Sequence, residues 1–262
     1  MDVNLNGARI HYERSGSGFP LLLIHAGIAD SRMWEPQAKA FANQFDMVRP
    51  DLRGFGGSAL PPGQYSMLAD LIALLDHLGI HRSHVVGCSM GGTLAIDLAV
   101  EHPERVERLV LIGSGVSGSN LGAADADLFV DVEAADKAGD KEAVNRAEVR
   151  LWVDGPRRPE GSAPAAVRDL VLDMNGRSLQ TDWDAAENQR LDPPAITRLG
   201  QITAPTLVIV GDEDLPHARA NAEVITSKVA GARTVVIKDA AHLPSLERPD
   251  EVNSVLLGFL TS

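Results

Sequence analysis

Along the chain, short uninterrupted apolar runs alternate with longer segments in which apolar residues recur every three or four positions. The runs are too short for helices, and continuous apolar character is typical of strands buried on both faces of a parallel sheet. They lie at residues 20–24, 83–87, 106–113 and 205–210, with shorter strand-like segments at 46–49 and 233–237. The periodic segments predict helices at residues 33–43, 66–78, 90–101, 216–229 and 249–260. This alternation predicts an α/β fold whose mostly parallel sheet is flanked by helices on both faces.

The first thirteen residues have the pattern of a β-hairpin. Asn6-Gly7 separates two strand-like segments, 3–5 and 8–13. Asn-Gly is the strongest sequence signal for a two-residue hairpin, because both positions tolerate a positive φ. We therefore expect an antiparallel pair of strands ahead of the alternating region.

Strand-like runs disappear between residues 116 and 199. Gly-Pro, Arg-Pro and Pro-Pro pairs break this region into separate segments, since proline ends a helix. Helices are predicted there at residues 128–138, 141–152, 164–175 and 182–189. The chain is thus expected to form an α/β core from residues 1–115 and 200–262, and an all-helical cap from residues 116–199.

Composition narrows the class of partner. The 262 residues carry a formal net charge of −12 and no dense Lys/Arg patch, which argues against nucleic-acid binding. The longest apolar stretches, about six residues, are too short to span a bilayer, and the first residues lack the basic segment of a secretory signal. The single cysteine, Cys88, rules out an internal disulfide and suits a reducing compartment. We expect a soluble cytoplasmic protein with a small-molecule substrate and neither a nucleic-acid nor a membrane partner.

The strongest chemical motif is the pentapeptide Gly87-Cys88-Ser89-Met90-Gly91, which joins a predicted strand to a predicted helix. A G-x-S-x-G sequence in this setting is typical of a nucleophile elbow. The glycines let the strand and helix backbones approach closely, and the turn lifts the Ser89 hydroxyl beside the helix N-terminus. The alternative is an ordinary strand-to-helix turn that happens to contain Gly and Ser. We interpret Cys88 as a buried apolar residue and not as a catalytic thiol.

A serine nucleophile needs a base to accept its proton. Of the eight histidines, only His25 and His242 lie in loops that directly follow buried strands. His242 comes after the last predicted strand and after an acidic loop, which is the order expected for the base of an elbow serine. His25 follows the first buried strand, and we interpret it as a scaffold residue that hydrogen-bonds its own loop. The predicted base is therefore His242.

The base in turn needs a carboxylate that orients it. Three carboxylates follow the strand at 205–210, namely Asp212, Glu213 and Asp214. At Asp212 the chain is still leaving the strand, so Asp214 has more freedom to turn across the top of the sheet. We predict Asp214 as the acid and keep Asp212 as the alternative, while some of these charges cap the helix that follows.

An acyl-transfer site also needs two backbone N–H groups directed at the developing negative charge. One is expected from Met90, the residue after the serine. The other is expected from the loop after the first buried strand, where Ile28 is the best placed and Gly27 gives the loop room to turn.

Two further patterns have structural explanations. Residues 51–59 contain a nominal G-x-G-x-x-A, but Leu60-Pro61-Pro62-Gly63 follows, so no helix opens there as a dinucleotide site requires. His77 and His81 have a spacing that metal ligands use, but Gly79 breaks the helix between them and no carboxylate accompanies them. We therefore expect neither a cofactor nor a metal ion.

Together, these motifs make the chain resemble the α/β-hydrolase superfamily. The matching segments follow the family's order, and they are His25-Ala26-Gly27, Asp51-x-Arg53-Gly54-x-Gly56-x-Ser58, Gly87-x-Ser89-x-Gly91-Gly92, Gly211-x-x-Asp214 and Ala241-His242. The resemblance implies an α/β-hydrolase fold with an eight-stranded, mostly parallel sheet, a helical cap after the sixth strand, and metal-free acyl transfer. Within the family the chain is similar to small single-cap carboxylesterases, enol-lactonases, C–C bond hydrolases and cofactor-free haloperoxidases. Ser89 departs from the haloalkane dehalogenases and epoxide hydrolases, whose nucleophile is an aspartate.

The leading hypothesis is a serine hydrolase that cleaves a small ester, thioester or lactone. Four cap residues are expected either to face the substrate or to pack the cap's own core: Trp152, Met174, Trp183 and Leu191. The same triad would serve a C–C bond hydrolase or an enol-lactonase of aromatic degradation. A substrate carboxylate would then need an anchor such as Arg150, Arg157, Arg158 or Arg190. A ligand-binding protein without catalysis is the alternative of a different class.

Overall fold

The computed structural model describes the whole chain except the side chain of Ala124. Its strands are β1 (Asp2–Leu5), β2 (Ala8–Gly16), β3 (Phe19–Ile24), β4 (Phe45–Pro50), β5 (Gly63–Tyr65), β6 (Ser83–Cys88), β7 (Val106–Ile112), β8 (Ala186–Asn188), β9 (Thr206–Gly211) and β10 (Arg233–Ile237). Its α-helices are α1 (Glu35–Phe41), α2 (Met67–His77), α3 (Met90–Glu101), α4 (Val130–Lys137), α5 (Lys141–Val149), α6 (Ala165–Ser178), α7 (Pro216–Lys228), α8 (Pro244–Glu247) and α9 (Pro249–Leu260).

Eight of the strands form one sheet in the order β1-β2-β4-β3-β6-β7-β9-β10. β2 pairs antiparallel with both β1 and β4, and every other pair in the sheet is parallel. The antiparallel edge starts at the predicted hairpin, where Asn6 has φ 47° and Gly7 has φ 78°. The predicted eight-stranded, mostly parallel sheet is confirmed.

Neighbouring side chains of the central strands enter two separate cores, one on each face of the sheet. In β6, for example, Val85 belongs to the core that contains α2 and α3, and Val86 to the core that contains α1 and α9. Because both faces are covered, all six residues of β6 and all six of β9 are buried. This double burial explains why the central strands appear in the sequence as continuous apolar runs.

The region 116–199 is mostly helical, but it does not match the prediction of helices alone. A 3₁₀ segment at Leu121–Phe129 precedes α4, and a π-helical turn at Arg150–Asp154 follows α5. The predicted helix over 182–189 is wrong, since only Trp183–Ala185 form a 3₁₀ turn and the next three residues form β8.

β8 exists because a partner strand lies beside it. It pairs in parallel with β5, and the N–H of Gln189 donates to the carbonyl of Tyr65 at 2.7 Å. A helix of eight residues is marginal by itself, whereas pairing with β5 satisfies the same backbone groups. The end of the cap is thereby joined to the core.

The described residues contain neither a membrane-spanning helix nor a cluster of metal-ligating side chains. No helix is both long and apolar enough to cross a membrane. Among the side chains that the structure describes, no group of three or more His, Cys, Asp or Glu is placed to hold a metal ion.

Candidate active site

Ser89 lies in a tight turn between the end of β6 and the start of α3. Its φ of 54° and ψ of −115° place a non-glycine residue in a region that L-amino acids rarely adopt. The surrounding backbone leaves no room for larger neighbours, because a Cβ atom on Gly87 would lie 2.3 Å from the carbonyl oxygen of Gly91. A Cβ atom on Gly91 would in turn lie 2.3 Å from the carbonyl oxygen of Ile24. The sharp turn therefore requires both glycines.

Cys88 points away from the turn into the core. Its side chain is fully buried, and its Sγ lies 3.9 Å from the backbone oxygen of His242. Burial raises the pKa of the Cys88 thiol, so the reactive thiolate is disfavoured. The interpretation of Cys88 as a buried apolar residue is confirmed.

His242 and Asp214 form a buried hydrogen-bonded pair. The Nδ1 atom of His242 lies 2.8 Å from the Oδ1 atom of Asp214, and both side chains are almost completely buried. The same carboxylate oxygen accepts the N–H of Leu215 at 2.7 Å, which fixes its orientation. Asp212 makes only a long contact, 3.4 Å, between its Oδ1 and the N–H of Ala240. The structure thus brings Asp214 to His242 and leaves Asp212 on the flanking loop.

Ser89 and His242 line the same cavity, whose volume is about 660 Å³. The Nε2 atom of His242 is buried and has no hydrogen-bond partner among the described residues. Because Asp214 accepts the proton of Nδ1, Nε2 carries the free lone pair of the neutral ring. An unpartnered ring nitrogen and a hydroxyl therefore both border this cavity.

The two predicted oxyanion donors lie on neighbouring segments. Met90 is the first residue of α3 and lines the cavity. Ile28 is 8% exposed and belongs to the loop after β3. The two segments are adjacent, since a Cβ atom on Gly27 would lie 3.7 Å from the Cβ atom of Met90. Ile28 itself is not part of the cavity wall.

The loop that carries Ile28 is held from below by His25. This side chain is fully buried, and its Nδ1 hydrogen-bonds the carbonyl of Ala26 at 2.8 Å while its Nε2 accepts the N–H of Leu52 at 2.9 Å. Burial lowers the pKa of His25, which keeps the ring neutral. The predicted scaffold role of His25 is confirmed.

Asp51 organises the loop over residues 51–59, which contains the nominal dinucleotide motif. Its two carboxylate oxygens accept the N–H groups of Ser31 at 2.8 Å and Gly57 at 2.7 Å. Its backbone oxygen accepts the Ser58 hydroxyl at 2.7 Å. No helix opens after this motif within the described backbone, and β5 follows instead. The loop is structural, as the sequence indicated.

The four cap residues expected either to face the substrate or to pack the cap's own core have different surroundings. Leu191 lines the cavity. The Trp152 ring packs on the ring of His242, with the two centroids 4.4 Å apart, and the Trp152 carbonyl accepts the backbone N–H of His242 at 3.1 Å. Met174 is buried, and its Sδ atom accepts the N–H of Asp30 at 3.4 Å. The structure therefore does not bring Met174 into the cavity.

Trp183 lies outside the cavity as well. Its ring centroid is 5.0 Å from that of Phe55, and its Nε1 donates to the carbonyl of Ser178 at 3.0 Å. It borders a separate shallow cleft together with Tyr65. For Met174 and Trp183, packing of the cap accounts for the contacts that the structure shows.

Three of the four candidate arginines are engaged in holding the cap. Arg150 donates to the carbonyls of Gly155 and Arg158 at 2.6 and 2.7 Å. Arg157 pairs with Glu213 at 3.3 Å, and Arg158 pairs with Glu247 at 2.7 Å. Arg190 differs, since it lines the cavity.

Sequence reasoning missed two polar pairs that contribute residues to the cavity wall. In the first, the Nδ1 atom of His217 lies 2.7 Å from the Oδ2 atom of Asp125. In the second, the hydroxyl of Ser117 donates to Asp97 Oδ1 at 2.7 Å, and burial raises the pKa of this carboxyl. Asp125 and His217 are 92 positions apart, and no local motif links residues at such a distance. An acidic residue in an otherwise apolar helix face, Asp97 in α3, was the one local signal.

Comparison with known proteins places the fold in a family. A family model described as "alpha/beta hydrolase fold" matches residues 20–249, and the chain belongs to this family. It is 28% identical over 246 residues, 92% of this chain and 79% of the relative, to the carboxylesterase YbfK of Bacillus subtilis. It is 33% identical over 216 residues, 66% of this chain and 75% of the relative, to a 2-hydroxymuconate semialdehyde hydrolase of Pseudomonas sp.. The crystal structure of the enol-lactonase from Burkholderia xenovorans superimposes with a TM-score of 0.80 at 26% identity, covering 100% of both chains.

Proposed function

We propose that this α/β-hydrolase is a serine hydrolase that cleaves a small ester, thioester or lactone through an acyl-enzyme on Ser89. One observation carries the proposal. His242, whose Nδ1 is bonded to buried Asp214 and whose Nε2 has no partner, lines the same cavity as Ser89. A base in this state, in the same cavity as a hydroxyl on an elbow turn, is what acyl transfer requires.

The proposed reaction has two steps. His242 Nε2 accepts the proton of the Ser89 hydroxyl while the oxygen attacks the substrate carbonyl, and Asp214 stabilises the imidazolium that forms. The N–H groups of Met90 and Ile28 bind the oxygen that becomes negatively charged. The tetrahedral intermediate collapses, His242 gives its proton to the leaving alcohol or thiol, and water then releases the acyl group by the same path. The relative that is a carboxylesterase supports this reading.

A second candidate uses the same residues on a different bond. Arg190 lines the cavity, and no described residue forms an ion pair with it. It could hold a substrate carboxylate, as expected for the C–C bond hydrolase or enol-lactonase alternative. The relatives named as a 2-hydroxymuconate semialdehyde hydrolase and an enol-lactonase fit this candidate. The further alternative, a ligand-binding protein without catalysis, predicts no covalent chemistry at Ser89.

The deciding experiment combines labelling with turnover. We expect a fluorophosphonate probe to label Ser89 in the native enzyme, as located by peptide mass spectrometry, and S89A to lose both labelling and hydrolysis of p-nitrophenyl butanoate. S227A, which changes an exposed serine on α7, is the matched control and should behave like the parent enzyme. Full hydrolysis by S89A would overturn the proposal.

A substrate series then separates the two candidates. Short acyl esters and simple lactones should be the better substrates of an esterase, whereas a vinylogous β-diketone with a free carboxylate should be preferred by a C–C bond hydrolase. In the second case R190Q should raise KM for the carboxylate-bearing substrate and not for its methyl ester. Equal KM changes for both would remove Arg190 as the anchor.

A further inference from the structure

A second histidine–aspartate pair lies at the cavity, separate from His242 and Asp214. His217, in the first turn of α7, lines the cavity, and its Nδ1 lies 2.7 Å from the Oδ2 atom of Asp125. Its backbone N–H donates to the same oxygen at 2.9 Å. Asp125 belongs to the 3₁₀ segment of the cap and is only 5% exposed. The hydrogen bond from the His217 backbone N–H to Asp125 alone would connect the cap to α7. This connection does not require an imidazole at position 217.

The contact with Asp125 determines the hydrogen-bonding character of the His217 ring. An ionised carboxylate only accepts, so Nδ1 is the nitrogen that carries the proton. In the neutral ring Nε2 is then an acceptor, and no described residue donates to it. The side chain is 17% exposed, which leaves it accessible from the cavity. A ligand that carries a donor would satisfy this nitrogen.

The charged groups of the cavity wall point to the same kind of ligand. Two carboxylates, Asp97 and Asp192, line the cavity, and Arg190 is the one guanidinium among the described lining residues. Two anions against one cation disfavour a substrate with several negative charges. The two carboxylates offer hydrogen-bond acceptors in addition to His217 Nε2. The hydroxyl and amide side chains of the wall can both donate and accept. The carboxylates and His217 Nε2 thus supply acceptors for the hydroxyl groups of a substrate, beside the N–H donors of Arg190.

We propose that His217, positioned by Asp125, accepts a hydrogen bond from a substrate hydroxyl, so that the cavity selects hydroxylated esters and lactones over their deoxy counterparts. The inference rests on the serine hydrolase function proposed above and names the substrate class of that site. His217 is a specificity-determining residue and Asp125 a positioning residue. Neither accepts the proton of Ser89.

The test compares substrates that differ by one hydroxyl. γ-Butyrolactone is measured against its α-hydroxy and β-hydroxy derivatives, and ethyl butanoate against ethyl 2-hydroxybutanoate and ethyl 3-hydroxybutanoate. We expect the native enzyme to favour at least one hydroxylated member by about tenfold or more in kcat/KM, since a site built to bind a hydroxyl discriminates against the analogue that lacks it. H217F should bring this ratio close to one. H217Q, whose side-chain carbonyl can accept, should retain part of it.

Several outcomes overturn the inference, and they differ from failure of the proposed function. Hydrolysis by the native enzyme without preference for any hydroxylated member overturns it, as does an equal loss on hydroxylated and deoxy substrates in H217F. If instead the native enzyme hydrolyses neither series and acts like S89A, the serine hydrolase proposal fails with it. H81Q, which changes an exposed histidine in the turn before β6, is the control and should leave the ratio unchanged.

A second measurement addresses Asp125 without relying on turnover. The ¹⁵N shifts of the His217 ring, assigned by comparison with H217Q, should show the tautomer with the proton on Nδ1. D125A should shift the ring toward a mixture of tautomers and lower the hydroxyl preference, because Nδ1 loses its acceptor. A native ring protonated on Nε2 alone would contradict the inference. So would a D125A enzyme that keeps the native preference.

Discussion

The loops at the carboxyl edge of the sheet and the cap above them are held by different kinds of contact. At the sheet edge, the backbones of neighbouring segments lie in direct contact. The turns that carry Ser89 and His242 fit there because Gly87, Gly91 and Gly211 lack side chains. In the cap, long arginine side chains reach carbonyls and carboxylates of distant segments. Steric contact tolerates almost no variation, whereas arginine contacts can be rebuilt in other ways. This difference supports the proposal that the residues of the edge carry the chemistry and that the cap sets the substrate.

The largest effect is expected from D214N at the sheet edge. An amide at this position cannot hold the tautomer of His242 that leaves Nε2 basic, so we expect kcat for p-nitrophenyl butanoate to fall by about 10³–10⁴-fold. The melting temperature should change far less than the activity. D212N is the matched control, and a greater loss of kcat in D212N than in D214N would make Asp212 the acid.

G211A tests whether steric contact defines the edge. A Cβ atom at this position would lie 2.1 Å from the carbonyl oxygen of Ala240 and 2.2 Å from that of Ala241, so the loop before His242 must move. We expect urea unfolding to show a loss of about 3 kcal/mol. G258A is the control, because a Cβ atom there meets nothing within 4 Å in α9 and should stabilise the helix by up to about 1 kcal/mol. Equal stabilities of G211A and the parent would remove the steric argument.

R158Q tests the polar attachment of the cap. Arg158 donates to the carbonyls of Val153 and Asp239 at 2.9 and 3.1 Å and to Glu247 at 2.7 Å. Burial raises the pKa of Glu247 and Arg158 opposes that shift, so removing the guanidinium leaves a buried carboxyl without its cation. We expect a loss of about 3 kcal/mol in unfolding free energy.

Two variants check the origin of that loss. The double variant R158Q/E247Q should recover much of it, because no uncompensated charge remains buried. R157Q, which breaks the exposed pair with Glu213, should cost under about 1 kcal/mol. A double variant no more stable than R158Q would mean that the carbonyl contacts, and not the ion pair, hold the cap.

The smallest effect is expected at Asp97, a residue of α3 that lines the cavity and accepts the hydroxyl of Ser117 in the cap. Burial raises its pKa above the ordinary value of 3.8, so the folded protein keeps this proton at a pH where the unfolded chain has lost it. Stability from this group therefore falls as pH rises above 3.8. D97N, whose carbonyl can still accept the Ser117 hydroxyl, should be more stable than the parent at pH 7 by under about 1 kcal/mol. The gain should vanish toward pH 3, and a gain independent of pH would contradict this explanation.

What the sequence could predict follows the same division. The alternation of strands and helices and the loops of Ser89, Asp214 and His242 depend on local patterns, namely apolar runs and small residues at strand ends. Such patterns can be recognised without knowing which distant segment of the chain packs against them. The hairpin at Asn6-Gly7 is a further example, since two adjacent residues determine the turn.

What it could not predict depends on residues far apart in the chain. The segment 186–188 becomes a strand only because β5, more than a hundred residues earlier, offers its backbone. The sequence leaves open whether Trp152 faces the substrate or packs the cap, and its contact with the ring of His242 follows from how the cap folds over the edge. The pairing of His217 with Asp125 likewise required the cap and α7 to be brought together.

The short pairing of β5 with β8 has a consequence for how the cavity exchanges its contents. Any movement that lifts the end of the cap away from the core must break the bond from the Gln189 N–H to the Tyr65 carbonyl and the bond from the Met67 N–H to Asn188 Oδ1. These two amides therefore act as reporters, since each exchanges its hydrogen for deuterium only when that pairing opens. If the two amides exchange at the same rate and that rate matches the rate of product release, opening of the β5–β8 pairing controls the exit of product from the cavity.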